Sequence, residues 1–195
     1  MINNVLYLIG GTCSGKTSLA RILEHKGWTW VRSITTRPAR PGERDEYKGW
    51  VSPIVFHGME QAGELEYIRD YITHDDLWRY AFLKKDLEFD PSKRYVMIGD
   101  PVSARVAMFR YHMLLMLYAS DDVTRARLEK RGCDSEFIRQ RLSKDYDDFG
   151  ELKTIATYAR SIEGKTFAFR TAKNDNHHDR TKILNWLNER LPNDH

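Results

Sequence analysis

Residues 10–17 read G-x-x-x-x-G-K-T: Gly10, Gly11, Thr12, Cys13, Ser14 and Gly15, then Lys16 and Thr17, with Ser18 behind them. Glycine lets a backbone turn tightly and aim several N–H groups at one point, which makes a concave cradle for anionic oxygen. The lysine at its end is a compact cation suited to β- and γ-phosphates, and the neighbouring threonine hydroxyl is placed for a magnesium ion. Residues 5–9 before the loop are an apolar run that suits a buried strand. Residues 18–26 behind it read as a helix with Leu19, Ile22 and Leu23 on one side and Gly27 as its stop. Strand, loop and helix in that order set the positive end of the helix dipole on the cradle. Residues 10–18 are therefore expected to hold the phosphates of ATP, with Mg²⁺ on Thr17.

Three further groups of charge need a place around that cradle. Arg37 and Arg40 lie downstream in residues 33–50, with Glu43 close behind. A guanidinium meets phosphate through two parallel hydrogen bonds, and a pair can hold a dianionic monophosphate. Pro38 and Pro41 pre-set the backbone there, and the stretch reads as a loop too polar and too broken to be core. Asp100 ends a second apolar run, at the sheet edge where α/β folds bind ligands. It is expected to reach Mg²⁺ through water, to cap a helix that begins at Pro101, or both. Arg127, Lys130 and Arg131 precede Gly132, and Arg139 and Arg141 follow it. A hinged helix pair carrying such charge suits neutralisation of a moving phosphoryl group with water kept out.

The elements that must position these groups alternate. Short apolar strands are expected at residues 28–31, 95–98, 113–118 and 166–170. Helices are expected at 101–111, 120–131, 135–162 (with a joint at Gly150) and 179–191, the last with Ile183, Leu184 and Leu187 on one face and Pro192 as its end. Residues 51–90 lose this rhythm and hold possible helices near 59–62 and 83–89, which marks an inserted lobe. The expected architecture is α/β, a three-layer α/β/α P-loop fold on a parallel core sheet. Its core would be residues 1–32, 91–127 and 151–195, its acceptor lobe 33–90 and its helical lid 128–150.

At 195 residues, with 41% hydrophobic and 30% charged side chains, the chain suits one globular unit with an inserted lobe. A net charge of +3 is too mild to argue for nucleic acid. The absence of an 18-residue apolar stretch argues against a membrane partner. The start, M-I-N-N, lacks the basic lead of a secretory signal, and two cysteines give no disulfide framework. A reducing cytoplasm is the expected compartment, and a monomer or homodimer the expected state. Closure of the lid would bring Cys133 toward Cys13, which leaves a redox switch open beside the plainer reading of two unpaired thiols.

At these residues the chain resembles the guanylate kinases. Ser33-Ile34-Thr35-Thr36-Arg37-Pro38-Ala39-Arg40-Pro41-Gly42-Glu43 is similar to their S-x-T-T-R-x-x-R-x-G-E segment, residues 63–66 to their G-E-F-x-E, and residues 128–132 to their L-x-x-R-G. The resemblance implies ATP-dependent phosphoryl transfer to a nucleoside monophosphate, GMP or dGMP. In it Ser33, Arg37 and Arg40 hold the acceptor, Glu43 orients that pocket, and Tyr47 and Tyr80 touch the acceptor. Glu66 reads the base edge, with Asp100 beside it, and Lys16, Arg131 and Arg141 neutralise the transferring group. The chain departs where the family has Y-G-[ST] and shows Tyr80-Ala81-Phe82, and where D-x-D is reduced to Gly99-Asp100. A different or modified base therefore stays open as the acceptor, as do ribose 1,5-bisphosphate and a non-catalytic binding scaffold.

Overall fold

The structure is a computed structural model. It describes residues 2–40, 43, 45–72, 76–163 and 168–190, and of 151–153 and 155–163 the backbone alone. Pro41 and Gly42 of the arginine segment, residues 166–167 of the expected last strand, and Leu191 and Pro192 lie outside the described residues. In chain order the elements are β1 (Ile2–Gly10), α1 (Lys16–His25), β2 (Thr29–Val31), β3 (Ile34–Thr35), β4 (Gly49–Trp50), α2 (Pro53–Gln61), β5 (Leu65–Ile72) and β6 (Leu77–Leu83). There follow β7 (Tyr95–Ile98), α3 (Pro101–Arg110), β8 (Tyr111–Tyr118), α4 (Asp121–Glu129), α5 (Ser135–Glu163), β9 (Ala168–Lys173) and α6 (His177–Arg190).

One sheet has the order β2-β7-β1-β8-β9 and is parallel throughout. Its central strand β1 is wholly buried from Val5 to Ile9, as an unbroken apolar run requires of a strand covered on both faces. Leu19, Ala20 and Leu23 of α1, with Ile183, Trp186 and Leu187 of α6, cover one face over Leu6, Leu8, Val96 and Leu115. Ala104, Ala107 and Met108 of α3 cover the other over Val5, Tyr7, Met97 and Leu114, joined by Phe149 of α5. The expected three layers are present, and the loops after β1 and β7 open on one edge of the sheet.

The second sheet, order β4-β3-β6-β5, is mixed: β3 runs parallel to β4 and antiparallel to β6, which pairs antiparallel with β5. Among the described residues its apolar cluster has five buried members, Ile34, Phe56, Leu65, Ala81 and Leu83, and polar ties add to its order. Thr35 Oγ1 donates to the Arg79 carbonyl at 3.0 Å and accepts from the Arg37 amide at 3.0 Å, and Thr36 Oγ1 accepts from the Arg79 amide at 2.8 Å.

Five expectations change. Residues 33–50 contain two short strands, and Ile34, Thr35 and Arg37 are buried; the threonine hydroxyls and an internal ion pair satisfy the polar groups that had argued for a solvated loop. The hairpin β5–β6 replaces the irregular stretch expected between residues 62 and 83, and residues 84–87 form a 3₁₀ turn rather than a longer helix. Helix α4 ends at Glu129, two residues before Arg131. Gly150 is no joint: α5 runs unbroken for 29 residues, because a lone glycine costs a helix only about 1 kcal/mol and strong helix formers flank it.

Candidate active site

The loop after β1 is shaped from within. Gly15 takes φ 90° as the N-cap of α1, and a Cβ there would lie 2.4 Å from Asn174 Nδ2, so conformation and space both demand glycine. Among the described residues no side chain caps α1, whereas Ser52 caps α2 and Asp100 caps α3. The first N–H groups of α1 are thus left for an external acceptor. Behind the loop, Asn174 Nδ2 donates to the Ser14 carbonyl at 2.8 Å, and Arg127 Nη1 donates to the Cys13 carbonyl at 2.8 Å. Arg127 Nη2 also reaches the carbonyls of Asn174 at 3.2 Å and Asp175 at 3.0 Å. Arg127, which the sequence groups with mobile charge, is a brace for the loop.

On the open side Lys16 Nζ donates to the carbonyls of Gly10 at 2.7 Å and Gly11 at 2.8 Å. Burial pulls its pKa down to about 8, with the Asp145 carboxylate pulling the other way. Asp145, from α5, accepts the Thr12 amide proton on Oδ2 at 2.5 Å and the Thr12 hydroxyl on Oδ1 at 3.3 Å. The same Oδ2 would lie 2.9 Å from a Cβ on Gly11, so that position must be bare for an anion to approach. The loop thus offers its Thr12 amide and hydroxyl to an anionic group. One turn earlier on α5, Arg141 Nε donates to Thr12 Oγ1 at 2.6 Å, and its Nη1 donates to the Tyr71 hydroxyl.

From there contact passes into the second sheet. The Arg141 guanidinium lies 5.0 Å over the Tyr71 ring, which stacks on Trp78 at 6.0 Å. Arg69 lies 5.6 Å from the centre of the same Tyr71 ring and 3.7 Å from Asp100 Oδ1. Asp100 is 8% exposed and caps α3 through Val102 N at 2.8 Å, Ser103 N at 3.1 Å and Ser103 Oγ at 2.7 Å. Thr12, Asp145, Arg141, Tyr71, Arg69 and Asp100 form one continuous chain of contacts between the two sheets, with the charge of Lys16 beside it. Asp145, Arg69 and Asn174 were not read from the sequence. The one local signal was that Arg141 and Asp145 stand four apart and so share a helix face.

The arginine segment assembles as a second charged cluster. Arg37 is 3% exposed, and its Nη2 donates to both oxygens of Glu43, at 2.8 and 2.6 Å, while Nη1 donates to the Pro38 carbonyl at 2.8 Å. Glu43 Oε2 also accepts the Arg40 amide at 3.0 Å. Burial opposes the charge on Arg37, but Glu43 and Tyr47 outweigh it and raise its pKa. Tyr47 lies beneath Arg37 at 5.3 Å and 6.1 Å from Tyr80, whose hydroxyl pKa burial raises. The structure thus brings Arg37, Arg40, Glu43, Tyr47 and Tyr80 together and leaves the Arg40 side chain exposed.

No family model matches the chain, and no curated protein does. Among solved structures, the crystal structure of guanylate kinase from Anaplasma phagocytophilum is similar over 98% of this chain and 88% of that one, with a TM-score of 0.64 and 16% identity. The chain has a guanylate kinase-like fold.

Within this guanylate kinase-like fold, other expected site residues stand apart. Glu66 lies 3.5 Å from Arg110, the last residue of α3, whereas Asp100 caps the first turn of that helix. The cause is a bulge in β5: the register passes from Glu66 opposite Phe82 to Arg69 opposite Tyr80, with Tyr67 at φ 52°. The extra residue re-aims the strand, so that Arg69 and Tyr71 meet Asp100 and Arg141. Thr17 sits half-buried in the first turn of α1 and Ser18 is exposed beside it, while Ser33 links β2 to β3 and accepts the Lys48 amide at 2.8 Å. Arg131 is exposed past the end of α4. Burial raises the pKa of Cys13, against the pull of Arg131, Lys16 and Arg127, and both Cys13 and Cys133 are free thiols.

Proposed function

We propose that this protein is a nucleoside monophosphate kinase, transferring the γ-phosphoryl group of Mg-ATP to a monophosphate acceptor. The observation that carries this reading is the carboxylate seated on the Thr12 amide beside Lys16, because a cradle that binds one anion by its backbone is built for phosphate. The guanylate kinase-like fold supports it.

In this reading the N–H groups of residues 11–17 hold the β- and γ-phosphates, and Lys16 leaves its two loop carbonyls to meet them. Arg141 neutralises the charge that spreads over the transferring group, joined by Arg131 as residues 128–150 close as a lid. Mg²⁺, held by the Thr17 hydroxyl and phosphate oxygens, would draw further charge from the phosphates. Asp100 fits a water-mediated role, since three hydrogen bonds of its cap leave one of about four carboxylate acceptor sites. Arg40, Tyr47, Tyr80 and the outer edge of Arg37 hold the acceptor phosphate, with Ser33 at the rim. No covalent intermediate is needed; alignment and charge neutralisation suffice.

GMP or dGMP is the acceptor that the fold and the arginine segment favour. A second reading, a kinase of another or modified nucleoside monophosphate, is favoured by the Glu66–Arg110 pair and by the burial of Ala81 and Phe82, which take those three positions away from a base edge. A coupled assay of ADP formation with GMP, dGMP, AMP, dTMP and UMP tests both. Turnover that depends on one added monophosphate supports the kinase, and ADP formation indifferent to acceptor, or none with any, rules it out.

A further inference from the structure

Asp145 is a strongly placed side chain at the cradle that the reaction does not use, and it occupies the amide that the reaction needs. Its Oδ2 accepts the Thr12 N–H at 2.5 Å and its Oδ1 accepts the Thr12 hydroxyl at 3.3 Å. It faces the positive charges of Lys16 and Arg141. Asp145 is carried by α5, 133 residues from Thr12 in the chain, and Arg141 on the same helix face holds the same threonine. Helix α5 is thereby fastened to the phosphate loop twice, once by a cation and once by an anion.

We propose that Asp145 is an intramolecular competitor for the triphosphate: its carboxylate holds the lid helix on the loop, and ATP binds by evicting it. The inference rests on the reading of the loop as an ATP site and adds a gate to it. The two occupants cannot share the Thr12 N–H, because it has one proton to donate. Eviction is favoured because a polyphosphate brings several negative charges to a place where Asp145 brings one, and it can use the α1 N–H groups that Asp145 does not reach. Once displaced, the carboxylate no longer offsets Lys16 and Arg141, and both cations face the phosphates undivided. The gate lowers affinity by the fraction of molecules in which Thr12 is free, and it does so equally for every ligand that needs that amide.

Asp145→Asn keeps the size of the side chain and removes the charge. Isothermal titration with ATP, and separately with inorganic tripolyphosphate, should show both ligands bound about tenfold more tightly by Asp145→Asn than by the natural chain, and by the same factor. Equal or weaker affinity in the variant overturns the gate while leaving the ATP site standing. If neither protein binds ATP, the kinase reading itself fails and the gate fails with it. A measurement on the unaltered chain needs no variant: without nucleotide the Thr12 amide should exchange its hydrogen slowly, and rapid exchange there would overturn the proposal.

Discussion

The two charged clusters answer the same problem differently. In both, a carboxylate sits against a basic group that phosphate chemistry would use. Glu43 lies six residues from Arg37, accepts from it twice, and is buried with it at 12% and 3% side-chain exposure. Asp145 comes to Thr12 from another element across 133 residues. The first pair is built in with its loop and holds it in shape, so its partners are fixed for the life of the fold. The second is a contact between parts that can separate. Proximity in the chain makes a counter-ion part of the structure, and distance makes it exchangeable.

The largest expected effect tests the fixed pair. Removing one partner of a buried ion pair leaves a charge without compensation, so Arg37→Met and Glu43→Gln should each destabilise the fold by about 3–5 kcal/mol in urea unfolding, and the double variant by less than their sum. Losses under about 1 kcal/mol would mean that Glu43 is as exchangeable as Asp145. Next in size, Lys16→Met should lower turnover by about 10²–10³-fold in the coupled assay with little change in unfolding midpoint; a drop smaller than tenfold would remove Lys16 from the chemistry. Arg40, exposed beside the pair, should serve the acceptor alone. Arg40→Ala is expected to raise the acceptor KM about tenfold and leave the ATP KM within twofold, and a shift in the ATP KM instead would merge the two clusters.

The smallest effect is in pH. Lys16 is held at about 8, below its ordinary 10.5, and bound phosphate would raise it again. Between those values the complex carries the proton that the free protein has lost. ATP affinity should therefore fall as pH rises through about 8, with uptake of up to about one proton per ATP. Titration at pH 8.5 or so in buffers of different ionisation enthalpy reads this directly. Proton release on binding would contradict the charge arrangement around the cradle.

What the sequence disclosed follows the same division between near and far. The β1–loop–α1 unit was legible because its signals are local: an apolar run, glycines at set places, then a helical stripe ending at Gly27. The parallel order of the core followed from strands alternating with helices. The arginine segment was legible as a cluster, but the burial of Arg37 was not, because Glu43 reads as one more loop charge until the fold closes it on Arg37. The β5–β6 hairpin was hidden by its bulge at Tyr67, where the two-residue alternation of a strand breaks phase. Asp145 was invisible for the deepest reason, since nothing near it in the chain says that α5 will lie across the loop after β1.

The unbroken run of α5 through Gly150 has a mechanical meaning. A 29-residue helix is a beam about 43 Å long, and Phe149 seats it on the core as a fulcrum. Tilting it by about 10° would carry the Asp145 backbone about 1 Å and the Ser135 end nearly 4 Å, given a rise of about 1.5 Å per residue. Helix α5 also packs against α3 and β9, and the residue straight after β9 is Asn174, which grips the Ser14 carbonyl. One helix thus touches the phosphate loop at Thr12 and also packs on the strand that leads to the loop's brace.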